Sequence, residues 1–186
     1  FTTLDYKAMD LSMGATLPRA GHLFGSDQLG RDLFLRCMVG GRYSIFIGVT
    51  SAVSSALIGV IIGAVAGYFG GKVDSILIRI TELFQTFPEL VLNMVLAALL
   101  GRSMMNLIFT FTGWMSTARL VRNEFLSLRS ETYVKVSEAF GMKKTHVMFR
   151  QILPNILTPI IVSVTASIPG YILSEASLSF LGLGVG

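Results

Sequence analysis

Long blocks without charge alternate along this chain with short blocks that carry most of it. Tyr43 to Gly71 contains no Asp, Glu, Lys or Arg. A helix over that stretch, rising 1.5 Å per residue, is long enough to cross a hydrocarbon core of about 30 Å. Inside it Ser55, Gly59, Gly63 and Gly67 recur at every fourth position. We read this stripe as a face that lets a second helix approach closely, against the plainer reading that glycine is simply frequent in membrane helices. Gly70-Gly71-Lys72 marks a turn. Val73 to Phe87 is mixed, with Asp74, Arg79 and Glu82 at helical spacing. It predicts a helix that starts in water or headgroups and enters the bilayer near Phe84. Pro88 then bends it, and Leu90 to Leu100 completes the crossing.

After the turn at Gly101-Arg102-Ser103, a third span runs over the uncharged stretch Met104 to Ala118. It reaches crossing length only by extending past Arg119 and Arg122, whose stems would snorkel to the interface. A fourth span is expected from about Ile152 to Leu173, bent at Pro154, Pro159 and Pro169. Such breaks are tolerated where neighbours or a water-filled path satisfy the freed carbonyls. The pattern predicts an all-α integral membrane protein, a polytopic helical bundle with four to five membrane helices in this stretch.

Composition agrees. Of 186 residues 52% are hydrophobic and only 14% charged, against about 25% charged in soluble domains. The net charge of +4 does not point to nucleic acid. The basic residues flank apolar spans instead of interleaving with aromatics, as the positive-inside rule expects. Seven Lys and Arg residues lie between Arg119 and Arg150, so that segment is placed in the cytoplasm. Gly101 then falls outside, Gly71-Lys72 inside, and the first forty or so residues outside. Arg31, Arg36 and Arg42 lie near the outer end of the first span, against the rule, and Asp27 and Asp32 do not offset them because the rule counts Lys and Arg. The domain reading is an extracytoplasmic segment over 1–42 and a transmembrane domain over 43–186, with a cytoplasmic loop at about 119–151. Within the first segment, Asp27 and Arg31 with Leu29, Leu33 and Cys37 suggest a short interfacial helix, the charged pair being most simply a helix salt bridge.

Chemistry is sparse. Cys37 stands alone, and His22 and His146 are scattered, so no disulfide framework or metal site is expected. No G-x-x-x-x-G-K-(S/T), H-E-x-x-H or G-x-S-x-G occurs, so no ATP site, cofactor or enzymatic activity is expected in this chain. The chain begins at Phe1 without methionine or a signal-peptide pattern and stops at Gly186; both ends read as cuts through a longer protein.

The loop offers more. Ser130 is expected to cap a helix whose first turn holds Glu131. Tyr133, Val136, Ser137 and Phe140 fall on one semi-apolar face. Gly141 permits the left-handed turn that ends this helix, and Lys143, Lys144 and His146 open a second short helix before Pro154. Such a knob suits a groove in a partner protein. A solvated loop or an anionic-lipid contact is the other reading, and composition alone does not choose. Glu175 either lines a solute path or accepts a hydrogen bond at the outer interface. Glu89, beside Pro88, poses the same choice between path and cap of a bent helix.

The segment Tyr133 to Asn155, YVKVSEAFGMKKTHVMFRQILPN, has Gly141, Phe149, Arg150, Leu153-Pro154 and Asn155 at the spacing of a known loop. It resembles the cytoplasmic "EAA" loop of ABC-importer permeases. Three further segments resemble the C-type subunit of the dipeptide, oligopeptide and nickel branch: His22 to Asp32, HLFGSDQLGRD; Gly67 to Asp74 with Arg79 and Phe87-Pro88; and Glu175 to Gly184, EASLSFLGLG. Four segments in the right order cover most of the chain.

The resemblance implies a type I ABC-importer permease, in which six spans are expected; the first and last are not seen here. It implies an ATPase-docking loop made by Tyr133, Lys135, Val136, Ser137, Glu138, Ala139, Phe140, Gly141, Lys143, Lys144, Arg150, Leu153 and Pro154. The family's Glu-Ala-Ala falls on Lys135-Val136-Ser137, with Glu138-Ala139 three residues late, so the usual acidic contact is altered. Implied partners are a homologous permease, two ABC ATPases that bind ATP and Mg, an extracytoplasmic solute-binding protein and the lipid of a bacterial or archaeal inner membrane. The implied cargo is a peptide or related small solute, with nickel or another solute of the same branch as an alternative. A secondary transporter is a further alternative, but it should show inverted repeats and midplane acids, and no repeat is detected.

Overall fold

The computed structural model describes residues 8–184; the first seven residues of the expected N-terminal segment lie outside them. Contacts group the chain into two units, the first ending at Phe46 and the second starting at Ile47.

In the first unit a loop is tied by isolated β-bridges, Thr16 with Ser26, Arg19 with His22 and Ser26 with Asp32. Asp27 organises it. Its Oδ1 accepts the Leu29 and Arg31 backbone N–H groups at 2.9 and 3.1 Å, and its Oδ2 accepts Arg31 Nε at 2.8 Å and Arg36 Nη1 at 2.6 Å. Burial alone would raise this carboxyl; the hydrogen bonds from Arg31 and Leu29 outweigh it and hold the group at about 2. The expected interfacial helix is corrected here. The Asp27–Arg31 pair forms in a turn closed by Gly30 at φ 70°, and helix starts only at Leu33. Asp32 Oδ1 accepts the Leu35 N–H at 2.9 Å, the arrangement of an N-cap. No breaker follows, so Leu33 to Cys37 is the first turn of a single helix, α1 (Leu33–Phe69), that includes the whole first span.

The second unit is built of helices joined by short turns. After α1 come α2 (Gly71–Gln85), α3 (Glu89–Leu100) and α4 (Met105–Leu128). Next come α5 (Thr132–Ala139), a turn labelled α6 (Lys144–His146) and α7 (Leu157–Phe180). Lys144 to Phe180 is one uninterrupted helical run, wide-turned over Val147–Ile152 and tightened over Leu153–Ile156. The fourth span is thus longer than expected and joined directly to the second helix of the loop. Pro154 opens the tightened turn, directly after the wide one, so the run is irregular there; Pro159 and Pro169 follow within the same run, both in α7.

α1 and α4 run side by side in the same direction. A Cβ at Gly59 would stand 2.7 Å from the Trp114 carbonyl oxygen, and one at Gly67 2.6 Å from that of Arg122; Gly63 abuts Ala118 in the same way. Small residues on α1 therefore set this separation. α7 runs antiparallel to α1, with Ser55 Oγ and the Tyr171 hydroxyl 2.9 Å apart. Gly113 of α4 makes room for that hydroxyl, since a Cβ there would collide with the Tyr171 ring.

The second crossing departs from a single bent helix: α2 and α3 meet at 82° across a short break at Thr86 to Pro88. Leu33–Phe69 and Lys144–Phe180 are long and apolar enough to cross a membrane, and the broken pair can make a third crossing. α4 has 24 residues, continues past Arg119 and Arg122, and is about 36 Å long. Arg122 holds Asp74 of α2 by paired hydrogen bonds of 2.5 and 2.6 Å. Arg119 donates to Gln85.

Candidate functional site

The loop is built from the end of α4. Ser130 Oγ donates to the Ser127 carbonyl at 2.8 Å, so it closes α4 instead of capping α5 as expected. Glu131 holds the N-cap position with extended backbone and no side-chain cap. α5 turns Val134 and Ser137 inward. Val134 joins Tyr68, Val121, Phe125, Val147 and Ile152 in one buried cluster, which fastens the loop to α1, α4 and the start of the last span. The expected semi-apolar face therefore divides. Ser137 belongs to the core side, its hydroxyl donating to the Tyr133 carbonyl at 2.8 Å, while Tyr133, Val136 and Phe140 are exposed, Phe140 at 83%.

At the end of α5 the Met142 N–H reaches the Ser137 carbonyl at 3.2 Å and the Gly141 N–H that of Glu138 at 3.0 Å. Gly141 sits at φ 76°. This double bond with a left-handed residue is a Schellman stop. Lys143 follows, and its carbonyl accepts the His146 and Val147 N–H groups. Lys144 Nζ lies 5.6 Å from the centre of the Phe69 ring. Val147, Met148 and Ile152 point inward; Phe149 and Arg150 point out. Leu153 is half-buried and Pro154 exposed. Tyr133, Val136, Phe140, Met142 and Phe149 are exposed along the loop, as are Lys135, Lys143 and Arg150. Lys135, Glu138 and Ala139 are exposed, and Glu138 also reaches back into the bundle, accepting the Tyr68 hydroxyl.

The break between α2 and α3 opens a cleft of about 640 Å³. Gln85, Phe87 and Glu89 line one side, Gly113 and Ser116 of α4 and Ser174 of α7 the others. Of the two acids singled out from sequence, Glu89 lies here and is exposed. Glu175 does not line this cleft: it is 8% exposed within α7, and Ser179 Oγ donates to its Oε1 at 2.7 Å. Sequence reasoning missed Tyr68 and Tyr171, whose polar tips tie helices together. The available signal was their place beside runs of small residues, where a hydroxyl buried in lipid needs a partner. Among the described residues, no three His, Cys, Asp or Glu side chains are placed to hold a metal.

A broken-span bundle with a basic, apolar-tipped loop fastened to its core has a match. Residues 59–186 fit the family described as binding-protein-dependent transport system inner membrane component. The chain belongs to that family. It is 41% identical over its whole length to the oligopeptide transport system permease protein OppC of Bacillus subtilis, covering 61% of that protein. It is 44% identical to the dipeptide transport system permease protein DppC of the same organism, over 90% of this chain and 53% of the relative. Against OppC of Escherichia coli K12 the identity is 40%, over 96% of this chain and 61% of the relative. The chain is thus a largely helical, multi-pass inner membrane component, and the relatives named are oligopeptide and dipeptide permeases. It spans between about half and three-fifths of the length of these relatives.

Proposed function

We propose that this permease forms half of the path of an ATP-driven importer of peptides or related small solutes. It pairs with a homologous permease, receives solute from an extracytoplasmic binding protein and docks an ATPase at its loop, so that the permease pair carries two separate ATPase chains. ATP and Mg are held by those chains. The single observation that carries this reading is the loop itself. Its outer face exposes Tyr133, Val136, Phe140 and Phe149, while its inner face is locked into the bundle core. A solvated loop has no use for exposed aromatics on a rigid mount; a docking knob does.

The connection to the spans supports the mechanism. α5 packs on α1 and α4 through Val134, and the loop's second helical segment continues into α7 without a break. Closure of the ATPases on ATP pushes the loop, the push passes directly into α7, and the broken α2–α3 pair opens or closes the path. The named relatives are oligopeptide and dipeptide permeases, which favours a peptide over nickel as the cargo.

The test reconstitutes the full-length permease in proteoliposomes with its partner permease, ATPases and binding protein. Uptake of dialanine should require ATP and every component. Uptake driven by an ion gradient without the ATPases would overturn the proposal in favour of a secondary transporter.

A further inference from the structure

The cleft at the α2–α3 break opens between that broken pair, α4 and α7. It faces Gly113 and Ser116, in the middle of α4, and Ser174 together with the ring of Tyr171 on α7. Hydroxyls, the Gln85 amide and aromatic rings make its wall, and Glu89 is the one charged side chain among the residues lining it. The nearest cation on the facing helix, Arg119, is not in the wall and donates to Gln85. The nearest other acid in sequence, Glu82, faces the opposite way, toward Arg79 at 3.7 Å.

An ionisable group in the break of a candidate span is by default a candidate for function. Glu89 makes no side-chain cap bond to α3, where Pro88 holds the N-cap position, so its only service to the helix is charge in the first turn. The wall is otherwise neutral, part hydrogen-bonding and part apolar, and its size suits a small solute.

We propose that this cleft binds the cationic group of the solute in transit, an ammonium such as the amino terminus of a short peptide, with Glu89 as its counter-charge. This rests on the importer reading above for the identity of the solute. The cleft favours cations over anions of equal size. Gln85, Ser116 and Ser174 orient the rest of the solute without adding charge, so side-chain variety is tolerated while the ammonium is held.

Two measurements on the full-length permease, assembled with its partner permease and ATPases, test this. The first is independent of the solute. In a Cys37→Ser background, Ser116→Cys is modified by a trimethylammonium-ethyl and by a sulfonatoethyl methanethiosulfonate, and the two rates are divided so that thiol reactivity cancels. The cationic reagent should be favoured at least about tenfold, and Glu89→Gln should remove that preference while Glu89→Asp keeps it. The second is ATP-driven dialanine uptake, which should fall about tenfold in Glu89→Gln and recover in Glu89→Asp, with ATPase co-purification unchanged. Equal labelling rates in the parent overturn the proposal. So does undiminished dialanine uptake by Glu89→Gln. A loss in both variants with ATPase release assigns Glu89 to a structural contact with the partner permease and also overturns it. If the parent labels with cation preference but imports no dialanine, the peptide reading of the function fails while the cation site stands.

Discussion

Tyr68, in the last turns of α1, donates its hydroxyl hydrogen to Oε1 of Glu138 on α5 at 2.5 Å. Tyr68 is buried, and the bond joins a membrane-crossing helix to the loop through one contact. Hydrogen bonds to an ionised acceptor contribute about 1.5–3 kcal/mol. Tyr68→Phe should therefore loosen α5 without creating a cavity. The expected result is retained assembly and retained ATP hydrolysis with fewer dialanine molecules imported per ATP. Measuring uptake and hydrolysis together checks this; an unchanged ratio would mean that Val134 and its neighbours carry the coupling unaided.

The α1–α4 contact gives a second expectation. At Gly59 an added Cβ meets the Trp114 carbonyl oxygen at 2.7 Å, and at Gly170 it meets nothing within 4 Å. Gly59→Ala should lower the thermal midpoint of the purified complex, at a cost of about 1–3 kcal/mol, and Gly63→Leu should cost more. Gly170→Ala, on an ordinary helical backbone, should leave the midpoint unchanged or raise it slightly. Equal midpoints for Gly59→Ala and Gly170→Ala would remove the close-packing role from the stripe.

Gly141 is constrained by backbone conformation, not by space, since nothing lies within 4 Å of its would-be Cβ. Its φ of 76° is costly to a β-branched residue and mild for asparagine. Gly141→Val should tilt the segment beginning at Lys143 and reduce ATPase retention, whereas Gly141→Asn should keep most of it. Both variants should insert and bind the partner permease, because the spans lie outside the turn. Co-purification of each variant with the ATPases and with the partner permease reads the two effects separately.

The Asp27 network has a pH signature. Its folded value is about 2, against 3.8 for the free side chain. A carboxyl depressed in this way stabilises the folded unit fully above the unfolded value, and that contribution is lost as pH falls through the folded one. Asp27→Asn should weaken amide protection over residues 14–32 at neutral pH, and the gap from the parent should close between about pH 4 and 2. Hydrogen exchange at several pH values measures it; a gap independent of pH would show that the carboxylate charge is not what holds the loop.

Elements governed by local pattern were legible in the sequence. The uncharged blocks located α1, α4 and α7, the Gly59–Gly67 stripe gave a packing face, and Gly141 gave a helix stop, because each depends on neighbours within a turn or two. What depended on distant groups was not legible. The pairing of Arg122 with Asp74 was hidden because the two stand 48 positions apart. Ser137 looked like part of an exposed face because only packing of Val134 against Val147 and Ile152 fixes the roll of α5. The interfacial helix is absent for a local reason: Gly30 is followed by an N-capping Asp32, which sets the helix start at Leu33. The sharpness of the α2–α3 break was also hidden, since a proline licenses a bend without fixing its angle.

The central claim, that the outer face of α5 is where an ATPase seats, is tested most directly at Phe140. This ring is 83% exposed, makes no contribution to the buried cluster and lies at the tip of the knob. Phe140→Glu should leave the fold and the partner permease in place while putting a charge where an apolar anchor is required, costing at least about 2 kcal/mol of docking energy. The measurement is the amount of ATPase retained when the full-length variant and its parent are purified side by side. The account expects a fall of about thirtyfold in apparent affinity with the permease pair intact. Undiminished ATPase retention, with full ATP-driven uptake, would contradict it.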